Sequence, residues 1–89
     1  MNARFRLGHI STTPNTLEIL TQQDILSAIQ RHQAGDWGDV NQDDWHENEV
    51  SLEKGLRLWS AYHTTSGVKF WVITEADRSR TTILLPEDY

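Results

Sequence analysis

From Leu56 onward the spacing of apolar side chains changes from helical to alternating, and this switch constrains the chain more than any other feature. "LRLWSAYH" and "VKFWVIT" alternate with period two on either side of "TTSG". "TTILL" follows the turn "EADRS" and is stopped by Pro86. Three such segments joined by short polar loops predict a three-stranded antiparallel meander.

Ahead of the switch the signals are those of helices. Thr13 is an N-cap with Pro14 in the first helical position, where its missing N–H costs nothing, so "PNTLEIL" reads as a short helix. Thr21 and Asp24 have the spacing of a capping box, and Leu20 and Ile25 that of a hydrophobic staple. They open a helix from Gln22 to Gln33 that ends near Gly35. Asn41, with Asp44 three residues on, opens a third helix that runs to Lys54 and stops at Gly55. "RFRLGHI" alternates as a short strand weakened by Gly8. The expected fold is α+β, one domain over residues 1–89: an N-terminal strand, two to three helices, then the meander with the helices packed on one face.

A chain of 10.3 kDa has room for one core. With no cysteine, neither disulfides nor thiolate chemistry are available, and packing must supply the stability. "MNARFRLGHI" has two arginines but no apolar run behind them, so no secretory leader is read there. No stretch approaches the roughly 20 apolar residues of a membrane span. A cytoplasmic location without a membrane partner is the expectation. The net charge of −5 disfavours indiscriminate nucleic-acid binding. Residues 41–54 hold most of it, with one basic and five acidic side chains, and a solvated acidic helix face accounts for that run.

Several polar residues fall on apolar faces. His32 follows Ile25 and Ile29 along one helix, and Asn48 lies between Trp45 and Leu52 on the next. Both must find partners, either in the backbone of "GDWG" around Trp37 or as the lining of a cleft. In the meander, a hairpin that sets His63 opposite Val68 puts Trp59 and Ala61 on one face with Phe70 and Val72. The other face then holds Leu58, Ser60 and Tyr62 with Lys69, Trp71 and Ile73, and it is expected to stay open. Arg78 and Arg80 would stand at its rim. Guanidinium forks suit phosphate, aromatic faces stack on bases, and hydroxyls donate to phosphoryl oxygens. A metal-independent ribonuclease needs little beyond that and a base, for which His32 or His63 would serve. The bland alternative is that Asp77, Arg78 and Ser79 simply make a polar turn. Asp43, His46 and Glu49 lack the second pair of ligands that a metal site requires, and no metal or cofactor is expected. No phosphate-cradling glycine loop or Gly-x-Ser-x-Gly elbow occurs.

"RHQAGDWGDV" and "GLRLWSAYHTTSGVKFWVITEADRSRTTILLPEDY", with the Asn48–Gly55 spacing between them, resemble a family of small bacterial proteins carried on plasmids and other mobile elements. The likeness covers residues 3–89 and includes His32, Asp36, Trp37, Gly38, Asn48, Ser60, Tyr62, Trp71, Thr74, Arg78, Thr81, Thr82 and Tyr89. Trp59–Ser60–Ala61 departs from a more familiar serine pair before the tyrosine. The family brings no established activity; the resemblance implies a compact protein in a mobile-element context. A looser likeness, in architecture alone, is to the barnase, EndoU, colicin and RelE group of ribonucleases.

Two functional classes follow. The first is a non-catalytic protein-interaction module, with Trp37, Asn48, Tyr62, Trp71 and Arg80 as binding residues and a protein partner. The alternative is a metal-independent ribonuclease or nucleic-acid-binding domain acting on RNA. His32, Ser60, Arg78 and Thr81 would then be catalytic. A mimic of DNA is a poorer fit, because one acidic helix is too short an array of carboxylates.

Overall fold

The computed structural model describes residues 3–89. The elements run β1 (His9–Thr12), α1 (Pro14–Ile19), α2 (Gln22–Gln33), α3 (Gln42–Lys54), β2 (Leu58–His63), β3 (Lys69–Thr74) and β4 (Arg80–Leu84), then a 3₁₀ turn at Pro86–Asp88. The expected α+β architecture is present, with one addition. β1 pairs in parallel with β4, so the meander becomes a four-stranded mixed sheet of order β1-β4-β3-β2.

The local signals explain the helices. Thr21 and Asp24 form the capping box in both directions, at 3.1 and 3.0 Å. Asn41 caps α3 through Asp44, and Gly55 closes it in the left-handed region at φ 72°. The N-terminal strand is shorter than its alternation suggests, because Phe5 and Leu7 precede it. Gly8 is the reason the chain can turn there. Its φ is +67°, and a side-chain carbon would lie 2.4 Å from the backbone of Ser79.

The register of the first hairpin differs from expectation by one residue, and the consequence is large. His63 pairs with Lys69, not Val68, so the loop is five residues long. Thr64 holds it, accepting from Gly67 through its carbonyl and donating its N–H to Val68. A shift of one residue exchanges the faces of a strand relative to its partner. Leu58, Ser60 and Tyr62 therefore share a face with Phe70, Val72 and Thr74, and with Thr81 and Ile83 of β4. This face is the core. Tyr62, Phe70, Val72, Ile83 and Leu85 cluster there with Leu20 and Ala28, under Ile25 and Ile29 of α2. Trp59, Trp71, Ile73 and Thr82 point the other way.

The free edge of β2 is closed by side-chain and loop backbone groups. The Asn48 amide donates to the Trp59 carbonyl at 2.6 Å and accepts from its N–H at 3.0 Å, imitating a neighbouring strand. Two residues on, Ala61 donates to Trp37 at 3.1 Å and accepts from Asp39 at 2.7 Å, forming a parallel bridge with Gly38. An unpaired edge invites association with another chain, and these contacts block it. Asn48→Ala should leave both Trp59 groups without partners and lower stability by about 2 kcal/mol, since each unmade bond costs about 1–3 kcal/mol. Urea unfolding checks this, and a loss below about 0.5 kcal/mol would show that water replaces the amide.

Candidate functional site

The residues expected to act on a substrate do come together, but inside the core. His32, Ser60, Thr74 and Thr81 are all 0 % exposed. Ser60 Oγ lies 2.5 Å from His32 Nδ1, and His32 Nε2 lies 2.9 Å from Thr74 Oγ1. Thr74 continues to Thr81 at 2.7 Å, and Thr81 donates to the Leu7 carbonyl at 2.7 Å. That last bond sets the direction of the rest. The only proton of Thr81 goes to Leu7, so Thr74 must donate to Thr81 and His32 Nε2–H to Thr74. Nδ1 is then the acceptor, and Ser60 donates to it. Burial, with the charge of Arg78 nearby, pushes the His32 pKa down to about 3. A serine bonded to a neutral imidazole is the geometry of an activated nucleophile. Here it is enclosed on all sides, so the proposed catalytic roles of His32, Ser60 and Thr81 lack a path for substrate. Their role in the fold is to tie α2, three strands and the N-terminal segment together.

Arg78 is likewise committed. Its Nη1 donates to the carbonyls of Leu56, Glu75 and Ala76 at 2.6, 3.0 and 3.3 Å, and its Nη2 to Ser51 at 3.2 Å. It binds the end of α3 to the β3–β4 turn, and its guanidinium lies 5.7 Å from the centre of the Phe5 ring. Its backbone is left-handed, φ 61°, which is uncommon for a residue with a side chain. Asp77 accepts from the Ser79 N–H at 3.0 Å and completes the turn. The crowding of polar residues between the two apolar runs is thus a turn, not a phosphate fork.

The expected binding residues divide. Trp37 is fully buried, with Phe5 stacked on it and its indole N–H on Glu49 at 2.8 Å. Glu49 also takes a forked pair of bonds from Arg4, at 3.0 and 2.9 Å, which holds its carboxyl below the usual range. Asn48 closes the sheet edge. Tyr62 is 2 % exposed and donates to the Asp36 carbonyl at 2.7 Å, so its ring is not on the open face as expected. Desolvation raises the pKa of that phenol. Trp71 and Arg80 do lie on the open face, and His63 stands exposed with Nδ1 on Asp39 at 2.5 Å.

On the open face a hollow of about 280 Å³ is lined by Arg57, Trp59, Trp71, Ile73 and Tyr89. Trp59 and Trp71 meet edge to face at 5.5 Å, and Trp71 meets Tyr89 at 5.7 Å, so the rings form walls at steep angles. Arg57 donates to the Tyr89 hydroxyl at 2.8 Å, and its guanidinium lies 5.3 Å from the centre of that ring. Tyr89 is 70 % exposed, while the Trp59 indole nitrogen is buried without a hydrogen-bond partner. Arg57, Trp59 and Tyr89 were not among the expected site residues. The parity of Arg57, Trp59 and Ala61 was visible in the sequence, but a register error placed Trp59 in the core.

Comparison with known proteins found no matching family model, no matching curated relative and no matching solved structure. No helix among the described residues is long and apolar enough to cross a membrane.

The buried imidazole makes stability depend on pH. The folded pKa of about 3 lies below the ordinary 6.5, so the unfolded chain takes up a proton on acidification that the folded chain refuses. Stability present above pH 6.5 should fall by about 1.4 kcal/mol per unit as the pH drops toward 3. Between pH 7 and 5 the loss from this group is about 2 kcal/mol. Urea midpoints across that window check it, and a folded His32→Gln variant should lack this contribution.

Proposed function

We propose that this protein is a small cytoplasmic binding module without catalytic activity, and that its ligand seats on the open sheet face around Trp59, Trp71 and Tyr89. The observation that carries this reading is the aromatic hollow beside Arg57, on the side of the sheet opposite the α2-covered core. Aromatic rings next to an arginine are common anchors of interfaces, since they bury much area at small entropic cost. The sealing of His32, Ser60 and Thr81 supports the non-catalytic part of the reading. The experiment is a comparison of ligands recovered from cell lysate by wild type and by Trp71→Ala, with Lys54→Gln as a control. At least one ligand retained by the control should be lost from Trp71→Ala. Identical recovery by all three proteins would overturn the reading.

One observation favours RNA cleavage as a second reading. His63, whose Nδ1 lies 2.5 Å from Asp39, lines a hollow of about 170 Å³ together with Arg31. In that reading Nε2 takes the proton of a 2′-hydroxyl, the 2′-oxygen attacks the adjacent phosphorus, and the 5′-oxygen leaves with a proton from water. The product ends in a 2′,3′-cyclic phosphate. Arg31 is held by Asp36 at 2.7 and 3.3 Å and lies over the Tyr62 ring, which restricts its use as a phosphate ligand. Total RNA incubated with the protein and EDTA should be cleaved, and His63→Ala should slow this at least 100-fold. Intact RNA would remove this reading.

A further inference from the structure

Resting on the reading of the open sheet face as the binding surface, we infer that its ligand is a single strand of nucleic acid. One base enters the hollow between Trp59, Trp71 and Tyr89, and the flanking phosphates lie on Arg57, Lys69 and Arg80.

The charges on this face separate it from the rest of the molecule. The chain has thirteen carboxylates to eight basic side chains, yet three of the eight stand on or beside this face. Lys69 is on the same side of β3 as Trp71 and Ile73, and Arg80 is on the side of β4 that carries Thr82. Arg57 precedes β2 on the side of Trp59. All three are exposed, and none belongs to an ion pair among the described residues, whereas Arg4 and Arg31 are each tied to a carboxylate. Glu75 continues this face at one strand end, Asp39 meets His63 at the other, and Glu87 borders it on the C-terminal turn. Unpaired cations beside the exposed Tyr89 and the half-buried Trp59 and Trp71 are complementary to an anionic chain with planar groups, and less so to an apolar protein surface.

The dimensions agree. The register puts Arg57 and Arg80 near one end of the sheet and Lys69 at the other, with Trp71 between. Lys69 and Glu75 are six strand positions apart, about 20 Å at the usual rise. A strand of a few nucleotides spans this distance. The hollow, at about 280 Å³, falls just below the range of drug-sized sites and suits a single planar ring. A base can enter it only if unstacked and unpaired, which excludes a duplex.

The test is fluorescence anisotropy with labelled ten-residue oligo(dT), oligo(rU) and a duplex of the same length, at 50 and 200 mM salt. Both single strands should bind, and the duplex should bind at least tenfold more weakly. A preference between the two strands identifies whether the 2′-hydroxyl is read. Three phosphate contacts give a logarithmic salt slope of about −2, or about a twentyfold loss between the two conditions. Trp71→Ala should weaken binding about tenfold or more, and Trp71→Phe should restore most of it. Combined Arg57→Gln, Lys69→Gln and Arg80→Gln, all at exposed positions where folding is not at risk, should flatten the salt slope. Lys54→Gln should change nothing. The inference is overturned if neither strand binds at 50 mM salt, if the duplex binds equally well, or if the triple variant keeps the slope. A protein from lysate that Trp71→Ala loses, with no oligonucleotide bound, would overturn the nucleic-acid assignment and leave the open-face reading standing. Failure of both experiments would end both.

Discussion

A single uncharged imidazole in the core ties the helical layer to the sheet. His32 accepts from Ser60 on β2 and donates to Thr74 on β3, and the chain of hydroxyls continues through Thr81 on β4 to the carbonyl of Leu7. Helix α2 is thereby registered against three strands and the segment leading into β1. Phe5 and Trp37 pack edge-on against the same ring, at 5.2 and 5.6 Å, so the polar rod is insulated by aromatic groups. A buried polar network is costly when any member is unpaired, and here each donor finds an acceptor. The ring stays neutral because burial penalises the charged form and the guanidinium of Arg78 adds to that penalty.

The same economy of polar groups governs the periphery. Asn48 occupies the edge of β2 with one amide, where a strand would otherwise need a neighbour. Arg78 gathers four carbonyls from the end of α3 and the adjoining turn with one guanidinium. Residues that look reactive in a linear reading are thus occupied by backbone groups that a domain of this size cannot satisfy with regular structure alone. The far side of the sheet carries three basic side chains that belong to no ion pair among the described residues. Arg57, Lys69 and Arg80 stand there beside three aromatic rings.

How the face was assigned rests on one residue of loop length. A hairpin of "TTSG" pairs His63 with Val68 and would expose Tyr62 beside Trp71. The observed loop includes Val68, because Thr64 closes it with both backbone and hydroxyl, its Oγ1 accepting from Val68 N–H at 3.1 Å. Alternation within each strand was therefore legible, and Trp71 lies on the open face as expected, with Arg80 at its margin. The relation between strands was not legible, since period two permits either register and the loop's hydrogen bonds decide between them.

What the sequence determined by itself was everything that depends on neighbours along the chain. The caps at Thr21 and Asn41, the stop at Gly55 and the switch to alternating strands are local, and each appears in the structure. The inward direction of His32 and Asn48 was also readable, because helical spacing alone sets which face a residue shares. Tertiary structure decided what those side chains meet, that β1 lies parallel to β4, and which sheet face remains open. The open face was settled by the Thr64 and Val68 hydrogen bonds of the hairpin loop, but the other two outcomes depend on pairings more than twenty positions apart, such as His32 with Ser60 and Thr81 with Leu7. Such pairings are chosen by the packing of the whole domain, and no short window of sequence contains both partners.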